Sequence, residues 1–340
     1  MNTKNFLKIF AAVLLILTAS VSLTAQTPQQ VAETYNWAIK NYKKNIDAAI
    51  DSLEQFEKNS TKLIESGDLE GKLKEQIEQL QKKSHSYLPA LYYKSAVQLY
   101  KQMRTDMAIN RFKETIKVAE KFENEKTVKK AKDILPKLYY KSASEARNMM
   151  DYQKAISMYS KAIEYEPDWA KAYLKKAQVY SKDGSDAKMI ETVKKAIEVA
   201  KRADDQKTLG RAIRMGQTYY WRIGAKAISN SENQAALDAF NKAMEFDPQD
   251  GLAYYYTALA KNKLFKYNEA IEDGKKGLGL LDSEENKEEI AKIHLQMGIA
   301  YSSLGKTEKG YKLHKKTEYG ESALQARKKQ DSFDCTNSNP

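Results

Sequence analysis

The sequence predicts an all-α fold in which pairs of helices recur along the chain. Residues that favour helices are plentiful, while the 340 residues include only six prolines and 14 glycines. No stretch shows the alternating β-branched pattern, bounded by turn residues, that is typical of a strand. One segment also recurs, since Leu88–Ala96 and Leu135–Ala143 are identical at eight of nine positions. This recurrence indicates an array of similar units.

The unit itself is clearest between Pro136 and Trp169, which is 34 residues long. This stretch resembles the tetratricopeptide repeat. Ala143, Ala155 and Ala162 stand at its positions 8, 20 and 27, where small side chains let the two helices of a repeat pack closely. The resemblance implies two antiparallel helices per unit, joined by a turn at Asp151.

The same register places six units along the chain. They begin at Pro89, Pro136, Ala170, Gln217, Gly251 and Ala291. Position 8 is alanine or glycine in all of them: Ala96, Ala143, Ala177, Gly224, Ala258 and Gly298. The predicted array spans 89–324, with units at 89–122, 136–169, 170–203, 217–250, 251–284 and 291–324. The resemblance implies that these pairs stack into a right-handed α-solenoid.

A longer period is superimposed on the repeat. The unit starts at 89, 170 and 251 are 81 residues apart, which suggests three double units descended from one ancestor. Insertions at 123–135 and 204–216 separate the repeats of the first two double units. We predict that such insertions lengthen neighbouring helices by up to about 20 Å, with Pro136 interrupting the first.

Residues 26–88 lack a clear repeat signature. The stretch from Val31 to about Glu65 is amphipathic throughout, which predicts one long, coiled-coil-like helix, and a second helix is predicted from Asp68 to about Lys83. We expect this helical hairpin to cap the array, because a solenoid exposes the apolar face of its terminal unit. A seventh, degenerate repeat is the alternative. Residues 325–340, which include the single cysteine, are expected to form a partly disordered tail.

The first 25 residues have the pattern of a cleaved secretory signal. Lys4 and Lys8 precede the apolar run Ile9–Leu17, and a cut after Ala25 is plausible. Even the longer stretch Ile9–Leu23 would span only about 22 Å as a helix, against roughly 30 Å of bilayer hydrocarbon. We therefore expect an exported chain without a transmembrane anchor after cleavage. A periplasmic location is favoured over release or envelope association.

Charge and motifs argue against several function classes. The formal charge is +12, but lysines alternate with acids, as is typical of solvated helix faces; this pattern and export predict no nucleic-acid partner. No HExxH helix, phosphate-binding glycine loop or nucleophile elbow is present. The resemblance implies that His294 and His314 face each other in the last unit, and ring packing explains them better than a zinc pair. We therefore expect that the protein is not an enzyme and that it binds neither a cofactor nor a metal.

The resemblance also implies a ligand groove on the concave face, lined by the first helix of each unit. Family positions 5, 12 and 13 place aromatic, basic and amide residues there. They are Tyr93, Tyr100, Lys101, Tyr140, Arg147, Asn148, Lys182, Trp221, Tyr255, Asn262 and Lys263. Such a surface suits an extended or helical peptide with acidic residues. Packing between adjacent units is the other explanation for the aromatic residues.

The sequence thus predicts a protein-interaction scaffold or adaptor of the bacterial cell envelope, which binds a peptide or partner protein in this groove. A module that binds glycans or other envelope polymers is the alternative, because aromatic grooves also stack on sugars. Lys and Asn, which grip chaperone C-termini at positions 5 and 9 in some family members, are absent from both positions in every unit. That mode of binding is not expected.

Overall fold

The computed structural model describes residues 27–67, 69–283 and 285–316, and this part of the chain contains fourteen helices and no strand. The helices are α1 (Pro28–Asn41), α2 (Ile46–Glu65), α3 (Gly71–Lys101), α4 (Thr105–Lys121), α5 (Glu125–Asn148), α6 (Tyr152–Tyr165), α7 (Ala170–Asp183), α8 (Asp186–Arg202), α9 (Gln206–Ser229), α10 (Asn233–Met244), α11 (Gly251–Lys263), α12 (Tyr267–Leu280), α13 (Lys287–Ser303) and α14 (Thr307–Lys315). The predicted signal peptide and C-terminal tail lie outside the described residues. No helix in the described part is long and apolar enough to cross a bilayer.

The described residues divide into two compact units, with the boundary between Glu145 and Ala146. In both units, helices adjacent in sequence pack against each other. Contacts also join α1 to α3, α7 to α9 and α11 to α13, so the first helices of successive pairs touch. This is the contact pattern of a solenoid, in which each helix pair rests on its neighbours. The fold is therefore an all-α solenoid of helix pairs, as predicted.

The N-terminal region differs from the prediction in how its helices are divided. The amphipathic stretch from Val31 to Glu65 is not one helix, because the backbone turns after Asn41 and a new helix begins at Ile46. Asn45 adopts an extended conformation there, and its side chain accepts a hydrogen bond from the Ala48 N–H at 3.1 Å. Such caps satisfy amide donors at a helix start, so α1 and α2 form a helix pair of their own.

The predicted second helix of the cap also continues further than expected. It is the N-terminal part of α3, which runs for 31 residues through Pro89 into the first predicted repeat. The buried side chains of Val31, Leu53 and Leu91 bring α1, α2 and α3 into one core. The hairpin predicted from residues 26–88 is thus wrong in its second member, and the α1–α2 pair is stacked on α3 as an additional pair.

The insertions lengthen the first helix of the repeats that follow them. Helices α5 and α9 are both 24 residues long, about 36 Å at 1.5 Å per residue, and their limits differ by 81 residues at each end. Their starts are capped alike: Asn124 accepts from the Thr127 N–H, and Asp205 accepts from the Thr208 N–H. The predicted interruption at Pro136 is wrong, because α5 runs through it.

The turns between paired helices share one feature at the same position of each predicted unit. Position 15 of every unit has a positive φ, between 59° and 77°. The six residues are Met103, Met150, Gly184, Ser231, Phe265 and Gly305. Only two of them are glycines, although the left-handed region disfavours side chains. The turn geometry is thus imposed by the two helices it joins and not by the residue in the turn.

The small residues of the repeat lie between the helices, as predicted. Position 8 is buried in all six units. Gly224 shows why, because a Cβ built on it would come within 2.3 Å of the Phe240 ring on the partner helix. Positions 20 and 27 are also buried wherever they are described, and Thr317, at position 27 of the last unit, lies outside the described residues. Close approach of paired helices therefore depends on these positions.

Candidate functional site

Three of the predicted groove residues, Arg147, Asn148 and Lys182, share one cavity in the second unit. This cavity has a volume of about 500 Å³, and a neighbouring cavity of about 590 Å³ shares Gln178 and other wall residues with it. We call the combined surface the basic groove. Its walls are Arg147, Asn148, Met150, Tyr152, Gln178, Ser181, Lys182, Met189, Arg211, Arg214, Met215, Thr218, Tyr219 and Arg222.

Three first helices supply most of the basic groove. Arg147 and Asn148 are the last residues of α5, and Gln178, Ser181 and Lys182 stand in the final turns of α7. The remaining cations come from α9, where Arg211 and Arg214 lie on the helical extension before the 34-residue unit. The length of α9 thus adds charged residues to the groove that the repeat alone would not provide.

The basic groove carries five cationic side chains without fixed counter-ions. Within the described residues, Arg147, Lys182, Arg211, Arg214 and Arg222 form no ion pair. These cations also affect the neighbouring Lys175. Burial lowers the pKa of Lys175, and the charges of Arg147, Lys171 and Arg211 lower it further. An anion entering the groove would therefore meet an unneutralised positive field.

The aromatic ring of Tyr219 completes this surface. The Tyr219 hydroxyl donates to Asp186 Oδ2 at 3.1 Å, which orients the ring, and the Arg222 guanidinium lies 6.0 Å from the ring centre. Met215 adds apolar surface on the side shared by the two cavities. The groove therefore offers apolar contact area between cationic groups, which suits a peptide better than a small inorganic anion.

The aromatic residues predicted at position 5 are half-buried and take part in packing. The rings of Tyr93 and Phe112 meet edge to face with their centroids 5.5 Å apart, and the rings of Trp221 and Tyr256 also have centroids 5.5 Å apart. The Trp221 indole nitrogen is itself buried and has no acceptor in the described part of the chain. Tyr140 and Tyr255 are also half-buried. None of these four rings lines the basic groove.

Of the other predicted residues, three are exposed and one is wrongly assigned. Tyr100, Lys101 and Lys263 are exposed, and the Lys141 ammonium lies 4.9 Å from the Tyr100 ring centre. Asn262 is instead buried, and its amide donates to the Gln296 carbonyl oxygen at 2.9 Å and to Gln296 Oε1 at 3.1 Å. It joins α11 to α13 and is a structural residue, not a ligand contact.

The following residues of the basic groove were not among the predicted ligand contacts: Arg211, Arg214, Met215, Tyr219 and Arg222. A signal for them exists, because residues 206–231 contain five basic residues and no acid. This departs from the alternation of lysines and acids found elsewhere and marks a helix whose charges are not paired along its own surface. The groove residues were predicted from family positions within the 34-residue units. Arg211, Arg214 and Met215 lie in the insertion 204–216, to which no family position applies.

The two histidines of the last unit behave as packing residues. The His314 ring lies against Gly298, where a Cβ would come within 2.8 Å of it, just as Phe240 lies against Gly224. Burial, with a contribution from Lys316, lowers the pKa of the half-buried His294. The described residues contain no group of three or more His, Cys, Asp or Glu side chains arranged to hold a metal.

Comparison with known families identifies the repeat. The family model for the tetratricopeptide repeat matches residues 136–168 and 170–202, which are two of the six predicted units. The chain therefore contains tetratricopeptide repeats. Proteins built from this repeat are generally non-enzymatic interaction scaffolds, and this supports a protein-interaction role for the tetratricopeptide-repeat chain described here.

Solved structures with similar helices are also tetratricopeptide-repeat proteins. The crystal structure of MamA shares 21% identity over 59% of this chain and 96% of its own, with a TM-score of 0.33. YrrB, described as having an unusual peptide-binding site, shares 18% over 56% of this chain and 91% of its own, with a TM-score of 0.32. The TPR2AB domain of yeast Sti1, in complex with an HSP90 peptide, shares 16% identity over 68% of this chain and 90% of its own, with a TM-score of 0.27. No curated protein matches the chain.

Proposed function

We propose that this tetratricopeptide-repeat protein is an adaptor that binds an acidic segment of a partner protein in the basic groove. The observation that carries the proposal is the group of five cations without counter-ions around two adjoining cavities. Unpaired cations on a rigid helical surface select a ligand of opposite charge and accelerate its encounter. Met215 and Tyr219 offer the apolar contacts that a peptide requires and a free ion does not.

Comparison of the double units with one another supports this assignment. Arg211 and Arg214 stand six and three residues before the start of their repeat at Gln217. The corresponding residues before Pro136 are Lys130 and Asp133, and those before Ala291 are Glu285 and Glu288. The cationic pair is therefore a feature of the second double unit and not a requirement of the repeat, so folding alone does not explain it.

The test is a comparison of two double variants in helix α9. An array of 14-residue peptides with two to six acidic residues is first screened against the full chain, and the best binder is labelled with fluorescein for anisotropy. Arg211→Gln with Arg214→Gln should weaken binding by about 2- to 30-fold, since each exposed charge pair contributes roughly 0.2–1 kcal/mol. The control, Lys207→Gln with Lys226→Gln, removes the same charge from the same helix outside the groove and should change affinity less than 2-fold.

Three results would contradict the proposal. One is equal weakening by the groove and control variants, which would indicate attraction to net charge alone. Another is retained binding of a peptide whose Asp and Glu are replaced by Asn and Gln. The third is saturable competition by alginate, an anionic polysaccharide, at a concentration of charge similar to that of the peptide. That last outcome would favour the envelope-polymer alternative.

We also propose that the adaptor acts after export, in the periplasm or at the envelope of a bacterium. The support is the basic n-region, apolar run and small residues before Gln26. Expression in a bacterium with subcellular fractionation and mass spectrometry of the N-terminus tests this. A chain beginning near Gln26 in the periplasmic fraction is expected, and an uncleaved chain in the cytoplasm would refute it.

A further inference from the structure

A cavity of about 800 Å³ lies in the first unit and shares no wall residue with the basic groove. It is bounded by the C-terminal half of α2, by the N-terminal half of α3 and by the end of α4. Ile64, Leu88, Val118 and Phe122 provide apolar walls. The α3 side of the cavity belongs to residues 71–88, which precede the first predicted repeat, and the α4 side belongs to the end of that repeat.

One charged residue of this cavity is buried, and it is an acid. Glu57 is only 8% exposed, and its Oε2 lies 3.1 Å from His85 Nε2. Its Oε1 is buried and accepts no hydrogen bond within the described residues. No lysine or arginine pairs with it there. Taking a carboxylate out of water without a cation or a full set of donors is unfavourable, and a cationic ligand would relieve that cost.

The other charged groups of the cavity are exposed at its rim. Glu54 accepts a hydrogen bond from the Tyr92 hydroxyl at 2.5 Å, and Glu65 is exposed. Lys58 and Lys121 are exposed as well, and the Lys121 ammonium lies 5.2 Å from the Phe122 ring centre. The cavity therefore combines apolar walls with the half-buried polar side chains of Gln81 and His85 and with one buried carboxylate that no lysine or arginine of the described residues pairs with.

We propose that this cavity binds the guanidinium group of an arginine side chain presented by a partner protein. The apolar walls fit the methylene stem of arginine, and its planar head can donate two hydrogen bonds to one carboxylate. The His85 ring stacks on Phe122 with centroids 4.4 Å apart and an interplanar angle of 18°. The His85 side chain is 41% exposed, so its ring can swing aside and uncover Glu57 to the incoming head group.

The test uses N-acetyl-arginine methylamide as the probe and N-acetyl-citrulline methylamide as its neutral counterpart of the same shape. Methyl NMR spectra of the full chain follow Ile64, Leu88 and Val118 during titration. Saturable shifts of these methyls are expected with the arginine probe, with affinity at least 10-fold weaker for citrulline. Glu57→Gln should cause a similar 10-fold loss, while Glu33→Gln, which removes an exposed carboxylate on α1, should leave affinity unchanged.

A second variant separates loss of the site from loss of the fold. Thr61 is exposed and lines the cavity, so Thr61→Trp should obstruct entry while keeping Glu57 and the core. It should also abolish the shifts without lowering the melting temperature of the chain. The proposal is overturned if citrulline binds as well as arginine, if Glu57→Gln binds like the wild type, or if the arginine probe shifts none of the three methyls.

Discussion

Replacing Gly224 with alanine tests whether the small residues of the repeat hold paired helices together. A Cβ at this position would lie 2.3 Å from one carbon of the Phe240 ring and within 2.7 Å of two others. Phe240 is only 1% exposed, so its ring has no open space to enter. Relieving the overlap must separate α9 from α10 or displace the ring.

The expected cost follows from comparison with Gly210→Ala in the same helix. Gly210 has no atom within 4 Å of the position of an added Cβ. Alanine there should stabilise the chain by about 0.5–1 kcal/mol, because glycine in a helix interior is unfavourable by that amount. The same gain from helix propensity applies at Gly224. Subtracting the stability change of Gly210→Ala from that of Gly224→Ala therefore cancels it. The difference is the overpacking cost alone, about 1–3 kcal/mol against Gly224→Ala.

Urea unfolding followed by circular dichroism measures this difference. Because repeat arrays can unfold in parts, amide exchange measured by mass spectrometry on α9 and α10 should accompany it. Adding Phe240→Leu to Gly224→Ala should recover part of the loss, which a double-mutant cycle would report as a coupling energy. Equal stability changes in Gly210→Ala and Gly224→Ala, or no coupling with Phe240, would refute the packing role given to position 8.

Three further predictions concern other features of the fold. Ser231→Gly should stabilise the chain by about 0.5–1 kcal/mol by relieving a left-handed residue, whereas Gly184→Ala should destabilise it by about 1 kcal/mol; equal signs in urea titrations would contradict this. Asn262→Ala should lower the free energy of unfolding by about 1–3 kcal/mol, because its hydrogen bonds to Gln296 are lost. A fall in acidic-peptide affinity in this variant would indicate that Asn262 contacts the ligand after all. Burial lowers the pKa of His294 below its usual 6.5, so the unfolded chain binds the proton more readily and stability falls as pH drops through and below 6.5. His294→Phe should reduce this fall between pH 7.5 and 5.5, and an unchanged pH profile of the urea midpoint would show that His294 is not its source.

The sequence was sufficient to predict the helix-pair architecture because small residues are required wherever two helices cross closely. Ala177, Gly224 and Gly298 return at one position of the unit, and all three are buried. The residues at which helices begin and end were harder to predict from the sequence. The turn after Asn41 interrupts a stretch whose amphipathic pattern continues through it, and periodicity alone gives no sign of such a break. The Asn45 cap was the only local signal.

The interruption predicted at Pro136 was wrong because packing outweighed a local preference, and Pro89 shows the same effect. Pro89 and Pro136 lie inside α3 and α5, and both are buried. A proline in a helix interior costs about 3 kcal/mol locally and favours a break. Here the helices are 31 and 24 residues long, and packing on both sides of each proline outweighs that local cost. Tertiary contacts decide such cases, and they are not visible from the sequence around the proline.

The candidate groove shows which part of the repeat is free to acquire function. Positions 8, 20 and 27 are fixed by helix contact, and half-buried aromatics such as Trp221 are held by neighbouring rings. The helical extension before Gln217 is under weaker constraint, since Arg211 and Arg214 are exposed there. Substitution at those places alters the charge of the cavity without disturbing the packing of paired helices. Ligand preference is therefore expected to differ between double units at their insertions, where the family pattern carries no information.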